Sequence, residues 1–253
     1  MKLHKIKGYI QFIYLIEQAH GLMLLDGCSR ADVDRVCTFI NELGRDVSEL
    51  KWIVVTHMHP DHAGGAHALR KRSGAKILAH PKAPLWYRGA MGWLAHVIDI
   101  VLTWWVAGRL GKPKKYIWYP RVLKPDHLAE DGGMIPGFEE FVTAYTPGHT
   151  DHDLSVIHVP SGQVYVADLF VRVKGKLAPP YPVCHPNQYK QSLSRIANSA
   201  PSKIYSAHVP PLTPEKVDFD ALLAQAPTLP KNLWHSTRNR VRHTFGLSKP
   251  EEH

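Results

Sequence analysis

Six consecutive residues, His57-Met58-His59-Pro60-Asp61-His62, carry three imidazoles and a carboxylate, and they directly follow Thr56 and the apolar run Trp52-Ile53-Val54-Val55. A short β-rich run that ends in such a cluster and gives way to Gly64-Gly65 and a helical pattern is how a sheet edge presents a metal site. Imidazole together with carboxylate suits zinc, manganese or iron rather than magnesium or calcium. His57 and His59 lie two apart and point the same way along an extended chain, whereas Asp61 and His62 need a turn to converge. One metal could not easily take all four ligands from so tight a loop, so the spacing predicts two adjacent metals. The bland alternatives are ordinary histidines and an Asp61 that only caps the helix beginning near Ala63.

The run resembles the HxHxDH signature of the metallo-β-lactamase superfamily, with His57, His59, Asp61 and His62 in its ligand positions. Three further stretches match that family in order. Thr146-Pro147-Gly148-His149-Thr150 resembles its TPGHT loop, Val164 to Phe170 its strand ending in a bridging Asp at Asp168, and Tyr205-Ser206-Ala207-His208 its final strand-end His. The intervals of 87, 19 and 40 residues from His62 through His149 and Asp168 to His208 are typical of compact members. The likeness spans roughly residues 8 to 215. His152, in Asp151-His152-Asp153, stands where relatives often have Gly-His, and a supporting role beside the ligands is open to it. The eleven remaining histidines match no family position and are read as ordinary.

The resemblance implies an α+β fold, a four-layer αββα sandwich with the metals at the sheet edge. It implies that His57, His59 and His149 hold one divalent metal ion, that Asp61, His62 and His208 hold a second, and that Asp168 bridges them. The metals are expected to be zinc, with iron or manganese as alternatives. A shared hydroxide would be the nucleophile, its pKa lowered towards roughly 7, with Asp61 orienting it. Tyr189 falls where relatives place a Tyr facing the site, so it is a candidate catalytic contact; plain helix packing explains it equally well.

Among the family's chemistries, a bridging Asp168 disfavours true β-lactamases, which generally lack it. His59 disfavours the flavodiiron oxygen reductases, which have Glu there. The expectation is a hydrolase of the glyoxalase II or acyl-homoserine lactonase kind, acting on an ester, lactone or thioester with an apolar chain. A phosphodiesterase or nuclease on the same metals is the alternative, kept open by a net charge of +9. A binding protein without activity is disfavoured by the intact ligand set.

At 253 residues the chain can bury one substantial core, and no Gly/Ser/Pro-rich linker divides it. One domain over 1–253 is expected. Three cysteines, Cys28, Cys37 and Cys184, match no metal-binding spacing and suit a reducing compartment. Lys2, Lys5 and Lys7 before Tyr9 to Ile16 superficially resemble a signal peptide, but the apolar stretch is short and no small-residue cleavage site follows. With Leu22 to Gly27 it reads better as an opening hairpin, and a cytoplasmic location, with possible membrane association, is expected.

Val33, Val36, Cys37, Ile40 and Leu43 recur at helical spacing after a capping-box-like Ser29-Arg30-Ala31-Asp32, and Gly44 ends that element. Ala63 to Ser73 reads as a helix and Lys76 to Ala79 as a strand. Further strands are expected over Phe141 to Tyr145, Leu154 to Val159, Val164 to Ala167 and Lys203 to Ser206. A helix capped by Asn187 and another over Pro214 to Ala226 complete the pattern.

Residues 82–124 are not explained by the family. Ala90 to Gly108 holds only His96 and Asp99 as ionisable groups over 19 residues, near the length of a membrane span. A true span would separate His57–His62 from His149–His208, which must meet, so a helical pair or one bent helix over the site is expected instead. The segment carries a net +7 of the chain's charge and five of its seven tryptophans. Three readings fit: a helical hairpin that buries its apolar face, an apolar lid for an amphipathic small molecule or a peripheral membrane contact, and stacking on single-stranded nucleic acid. Residues 229–253 form a basic C-terminal tail with Arg238, Arg240, Arg242 and Lys249.

Overall fold

The computed structural model describes residues 1–231. Nearly all of the basic tail therefore lies outside the described residues.

The first half builds a six-stranded sheet in the order β1 (Lys2–Lys7), β2 (Phe12–Gln18), β3 (Gly21–Leu25), β4 (Leu50–Val55), β5 (Lys76–Ala79), β6 (His127–Leu128). Its first three strands are antiparallel neighbours; from β3 onward the pairing is parallel. Parallel neighbours need crossovers, which here are α1 (Val33–Glu42), then α2 (Pro60–Ala63) and α3 (Ala66–Ser73), and then the long α4 (Gly89–Arg109). The second half forms a sheet in the order β13 (Lys203–Tyr205), β10 (Gln163–Tyr165), β9 (Leu154–His158), β8 (Phe138–Tyr145), β7 (Met134–Ile135). A small hairpin, β11 (Val171–Val173) with β12 (Lys176–Ala178), and the helices α5 (Pro186–Asn198) and α6 (Phe219–Gln225) complete it.

Strand alternation sorts the apolar side chains into three separate cores. Successive side chains on a strand point to opposite faces. Ile13, Leu15, Leu22, Leu24, Ile53 and Val55 accordingly enter one core with Val36 and Ile40 of α1 and Leu69 of α3. Their neighbours Tyr14, Ile16, Met23, Leu25, Trp52 and Val54 enter a second core against Phe138, Phe141, Val156 and Tyr165 of the other sheet. Val164 and Ile204, on the far side of that sheet, pack on Tyr189, Leu193 and Ile196 of α5 and Leu222 of α6. Helices, sheet, sheet and helices are thus stacked with a core in each gap: a four-layer αββα sandwich.

Several expected boundaries differ from the observed ones. The helix expected over Ala63–Ser73 is two pieces, α2 and α3, because Gly64 and Gly65 separate them in close contact with Pro60 and Gly27 backbone. Asn187 does not cap α5: His185 precedes the helix and Pro186 takes its first position, where a missing N–H costs nothing. The last expected helix is a single turn, Pro214–Lys216, followed by α6 capped by the Asp218 side chain on the Ala221 N–H. The insertion carries one continuous long helix rather than a helical pair. Besides a single turn at Ala83–Leu85 only α4 is helical, and from Lys112 the chain returns in irregular extended form, since Pro113, Pro120 and Pro125 each remove a donor and fix φ.

Candidate metal centre

Four strands end at the same edge, and the loop after each supplies ligands. After β4 the chain remains extended through His59 (φ −63°, ψ 155°) and then turns into α2 with Pro60 at its first position. This places His57 and His59 before the turn and Asp61 and His62 within it. The loop after β8 supplies His149, the loop after β10 supplies Asp168, and the end of β13 leads to His208. Gly148, at φ +151°, lies under α5 so closely that a Cβ there would meet the Tyr189 Cα at 2.4 Å. A residue with a side chain could not bring His149 in at this position.

The seven expected ligands converge. His57, His59 and His149 offer donor atoms within 4.8 Å of one another, as do Asp61, His62 and His208, and His57, His62 and Asp168 form a group that joins the two triads. Asp168 faces both sides. Its Oδ2 lies 3.7 Å from His149 Nε2 and 4.0 Å from His57 Nε2, and its Oδ1 lies 3.3 Å from both His62 Nε2 and His208 Nε2. Asp61 Oδ2 is 3.2 Å from His208 Nε2 and 3.5 Å from His62 Nε2.

In His57, His62, His149 and His208 the other nitrogen is hydrogen-bonded from behind, which fixes the ring and turns the free nitrogen inward. His149 donates from Nδ1 to the Pro182 carbonyl (2.6 Å), and His62 Nδ1 pairs with Asp26 Oδ2 (2.9 Å). His57 Nδ1 lies 3.1 Å from Thr56 Oγ1, His208 Nδ1 lies 3.3 Å from the Ile10 carbonyl, and His59 Nε2 faces Asp99 Oδ2 at 3.8 Å. Buried and aimed into the shared space, His57 Nε2, His62 Nε2 and Asp168 Oδ1 have no hydrogen-bond partner among the described residues. Buried polar atoms are ordinarily satisfied, so orphaned imidazole and carboxylate atoms at one point are what a cation site requires. The donor set fits two adjoining divalent cations.

The electrostatics agree. Burial and the neighbouring imidazoles hold His57 and His59 well below the usual histidine range. Burial alone would raise Asp168, but the His208 and His62 imidazoles hold its carboxyl well below the usual carboxylate range. Burial would likewise lower His208, and the Asp168 and Asp61 carboxylates instead push it up to about 10. Neutral imidazoles at His57 and His59 and an ionised carboxylate at Asp168 are the forms in which these groups bind a cation.

Tyr189 lies at the site's margin with Thr146, His149 and Asp168. Its ring is fully buried and its hydroxyl donates to the Leu169 carbonyl (2.9 Å), so it is committed to the loop that carries Asp168. His152 is buried too. Its Nε2 accepts the Met58 N–H (3.1 Å), which fixes the backbone between His57 and His59.

Three groups that support the ligands were not singled out from the sequence. Asp26, at the end of β3, accepts from Thr56 N (2.9 Å), Thr56 Oγ1 (2.6 Å) and the Tyr165 hydroxyl while pairing with His62. Asp99 of α4 accepts from the Tyr87 hydroxyl (2.6 Å), and burial pushes its carboxyl up to about 6. Tyr119 donates to the Met58 carbonyl. The signal for Asp99 was available: it is the lone carboxylate of an otherwise apolar helix.

A family model, the metallo-beta-lactamase superfamily, matches residues 6–208. A hydroxyacylglutathione hydrolase from Albidiferax ferrireducens is 33% identical over 78 residues, covering 31% of this chain and 27% of that protein, so the match spans about a quarter of its length. Among solved structures, a metallo-beta-lactamase family protein from Thermus thermophilus superposes with a TM-score of 0.67 at 20% identity, covering 96% of this chain and 82% of that one. An archaeal superfamily protein from Sulfolobus tokodaii gives 0.63 at 21% identity, covering 88% and 85%. A third structure, solved in a di-iron-bound form, gives 0.61 at 20% identity and covers 90% and 100%. With the fold, the clustered donor groups and a family match over most of its length, the chain belongs to the metallo-beta-lactamase superfamily.

Proposed function

We propose that the protein hydrolyses an ester, lactone or thioester whose acyl group carries an apolar chain, and that it does so with two zinc ions. The carrying observation is the position of α4. Asp99 brings this helix to 3.8 Å from a ligand imidazole, and Ala95 and Leu102, one turn to either side on the same flank, are both half-buried. An apolar wall therefore runs away from the metal donors, where an acyl chain can lie while its carbonyl sits at the ligands. The short likeness to a hydroxyacylglutathione hydrolase, a thioesterase by name, supports the same substrate class.

Held by His57, His59 and His149 on one side and Asp61, His62 and His208 on the other, with Asp168 between, two cations would provide a water-derived nucleophile at neutral pH and polarise the substrate carbonyl. The chain's own residues orient the ligands through Asp26, Thr56 and Asp99, while His152 and Tyr119 hold the Met58 backbone from two sides. Iron is the second candidate, on the strength of the di-iron neighbour.

The test is a substrate panel with metal-analysed protein: acyl thioesters and acyl lactones of graded chain length, a phosphodiester and nitrocefin. Turnover of thioester or lactone that improves with chain length is expected. Leu102→Ser should lower kcat/KM on long chains by roughly tenfold and spare short ones, the loss of a few buried methylenes. Equal losses on both refute the apolar wall. Preferential phosphodiester cleavage that falls steeply with salt selects the nuclease reading instead.

A further inference from the structure

Among the described residues one helix, α4, is long and apolar enough to cross a membrane. Its packing shows what it does instead. Gly92, His96, Ile100, Thr103 and Ala107 form a stripe buried against the domain, and Asp99 faces the metal centre, so the helix lies flat on the protein. Opposite that stripe Met91, Leu94, Ile98, Val101 and Trp105 recur at alternating intervals of three and four, on one outward face. Met91 is 60% exposed, Val101 53% and Trp105 59%, and Trp93 at the amino end is 56% exposed. Soluble monomers rarely expose a contiguous apolar patch of this kind without using it.

What covers the patch is indicated by its surroundings. Arg88 precedes the helix, Arg109 is in its last turn, and Lys112, Lys114 and Lys115 follow. Arg109 lies 5.0 Å over the Trp105 ring and Lys114 lies 3.8 Å over that of Trp104, so cations and indoles share one end of the patch. Among the described residues Lys82, Arg88, Arg109, Lys114, Lys115 and Lys124 form no salt bridge. Exposed tryptophan and tyrosine beside unpaired Lys and Arg, around an apolar helix in the surface plane, match the boundary of an anionic bilayer, where rings sit among headgroups and each cation adds attraction. A second copy of the chain fits less well. It would bring the same positive rim against itself, and the positions flanking the stripe, Ala95, Val97, Leu102 and Trp104, carry none of the charges that fix helix pairing.

We propose that the outward face of α4, with Trp105 as its anchor, docks the protein onto the surface of an anionic lipid bilayer. The opposite flank of the helix borders the metal centre, so docking holds the catalytic edge beside the membrane. The proposal is independent of which acyl compound is hydrolysed.

The test is co-sedimentation of the metal-replete full chain with phosphatidylcholine vesicles, with and without phosphatidylglycerol, beside the double variant Leu94→Glu/Trp105→Glu. Binding to the phosphatidylglycerol vesicles is expected, reduced by raised salt, with at least roughly tenfold weaker partitioning for the variant. Hydrolysis of a short, soluble substrate without vesicles should be unchanged in the variant, which separates docking from activity. Failure to bind, equal binding by the variant, or equal binding to neutral vesicles overturns the proposal. So does a lipid-free dimer, seen by equilibrium sedimentation, that the variant dissolves, because a second copy would then be the occupant.

Discussion

Asp26→Asn should weaken one of the two metal positions while leaving the other and the fold almost intact. Asp26 is 3% exposed and sits at φ +74°, a conformation that Asn tolerates better than most residues. Its Oδ1 accepts both Thr56 bonds, at 2.9 and 2.6 Å, and the Asn carbonyl oxygen can keep these. The Oδ2 position becomes an NH2 group facing the His62 Nδ1 and the Tyr165 hydroxyl. Tyr165 can rotate its hydroxyl to accept. His62 can relieve two opposed donors only by moving its proton to Nε2, the nitrogen aimed at the metal. The loss of such a fixing partner ordinarily lowers metal affinity about 10–100-fold, or roughly 1.4–2.7 kcal/mol. The lost charge-assisted bond should cost about 1.5–3 kcal/mol of stability. A chelator-competition titration of the metal-free protein resolves the two equivalents. The weakened one is the equivalent made with Asp61, His62 and His208. Wild-type affinity at both positions, or equal loss at both with an unchanged melting temperature, would refute the assignment of Asp26 to His62.

Gly148→Ala forces a Cβ to within 2.4 Å of the α5 backbone, so the loop carrying His149 must move; a lower melting temperature and weaker binding at the position made with His57 and His59 should appear together in calorimetry. Asp99→Ala should weaken that same position by less than Asp26→Asn weakens its own, because 3.8 Å is too long for a hydrogen bond; the chelator titration reads the difference. Tyr189→Phe removes only the bond to the Leu169 carbonyl, so kcat should hold while stability falls by about 1 kcal/mol, whereas a large drop in kcat would show that the hydroxyl reaches substrate. Stripping metal should lower the melting temperature, since ligands present at 100 times their Kd stabilise by about 2.7 kcal/mol; an unchanged melt would count against cations held by the folded state alone.

The ligands were legible in the sequence because a metal dictates residue types, and because loops after strands are short enough to preserve local spacing. His57, His59, Asp61 and His62 lie within six residues after one strand, and the chemistry of that run needs no knowledge of the fold. The strands β2 to β4 were likewise visible as nearly continuous apolar runs, because each is buried on both faces. Tertiary structure alone decided which partners stand behind the ligands. Asp26 and Tyr165 are 139 positions apart, and only the packing of the two sheets brings the Tyr165 hydroxyl to the carboxylate that stands behind His62. The fate of α4 was equally beyond the sequence. Its composition permits a core helix, a membrane span or a surface helix, and the choice rests on which stripe meets the domain. The answer came from Gly92 and Ala107, small enough for close packing, and from Asp99, a carboxylate that is stable in an apolar setting only where Tyr87 and a ligand imidazole wait to receive it.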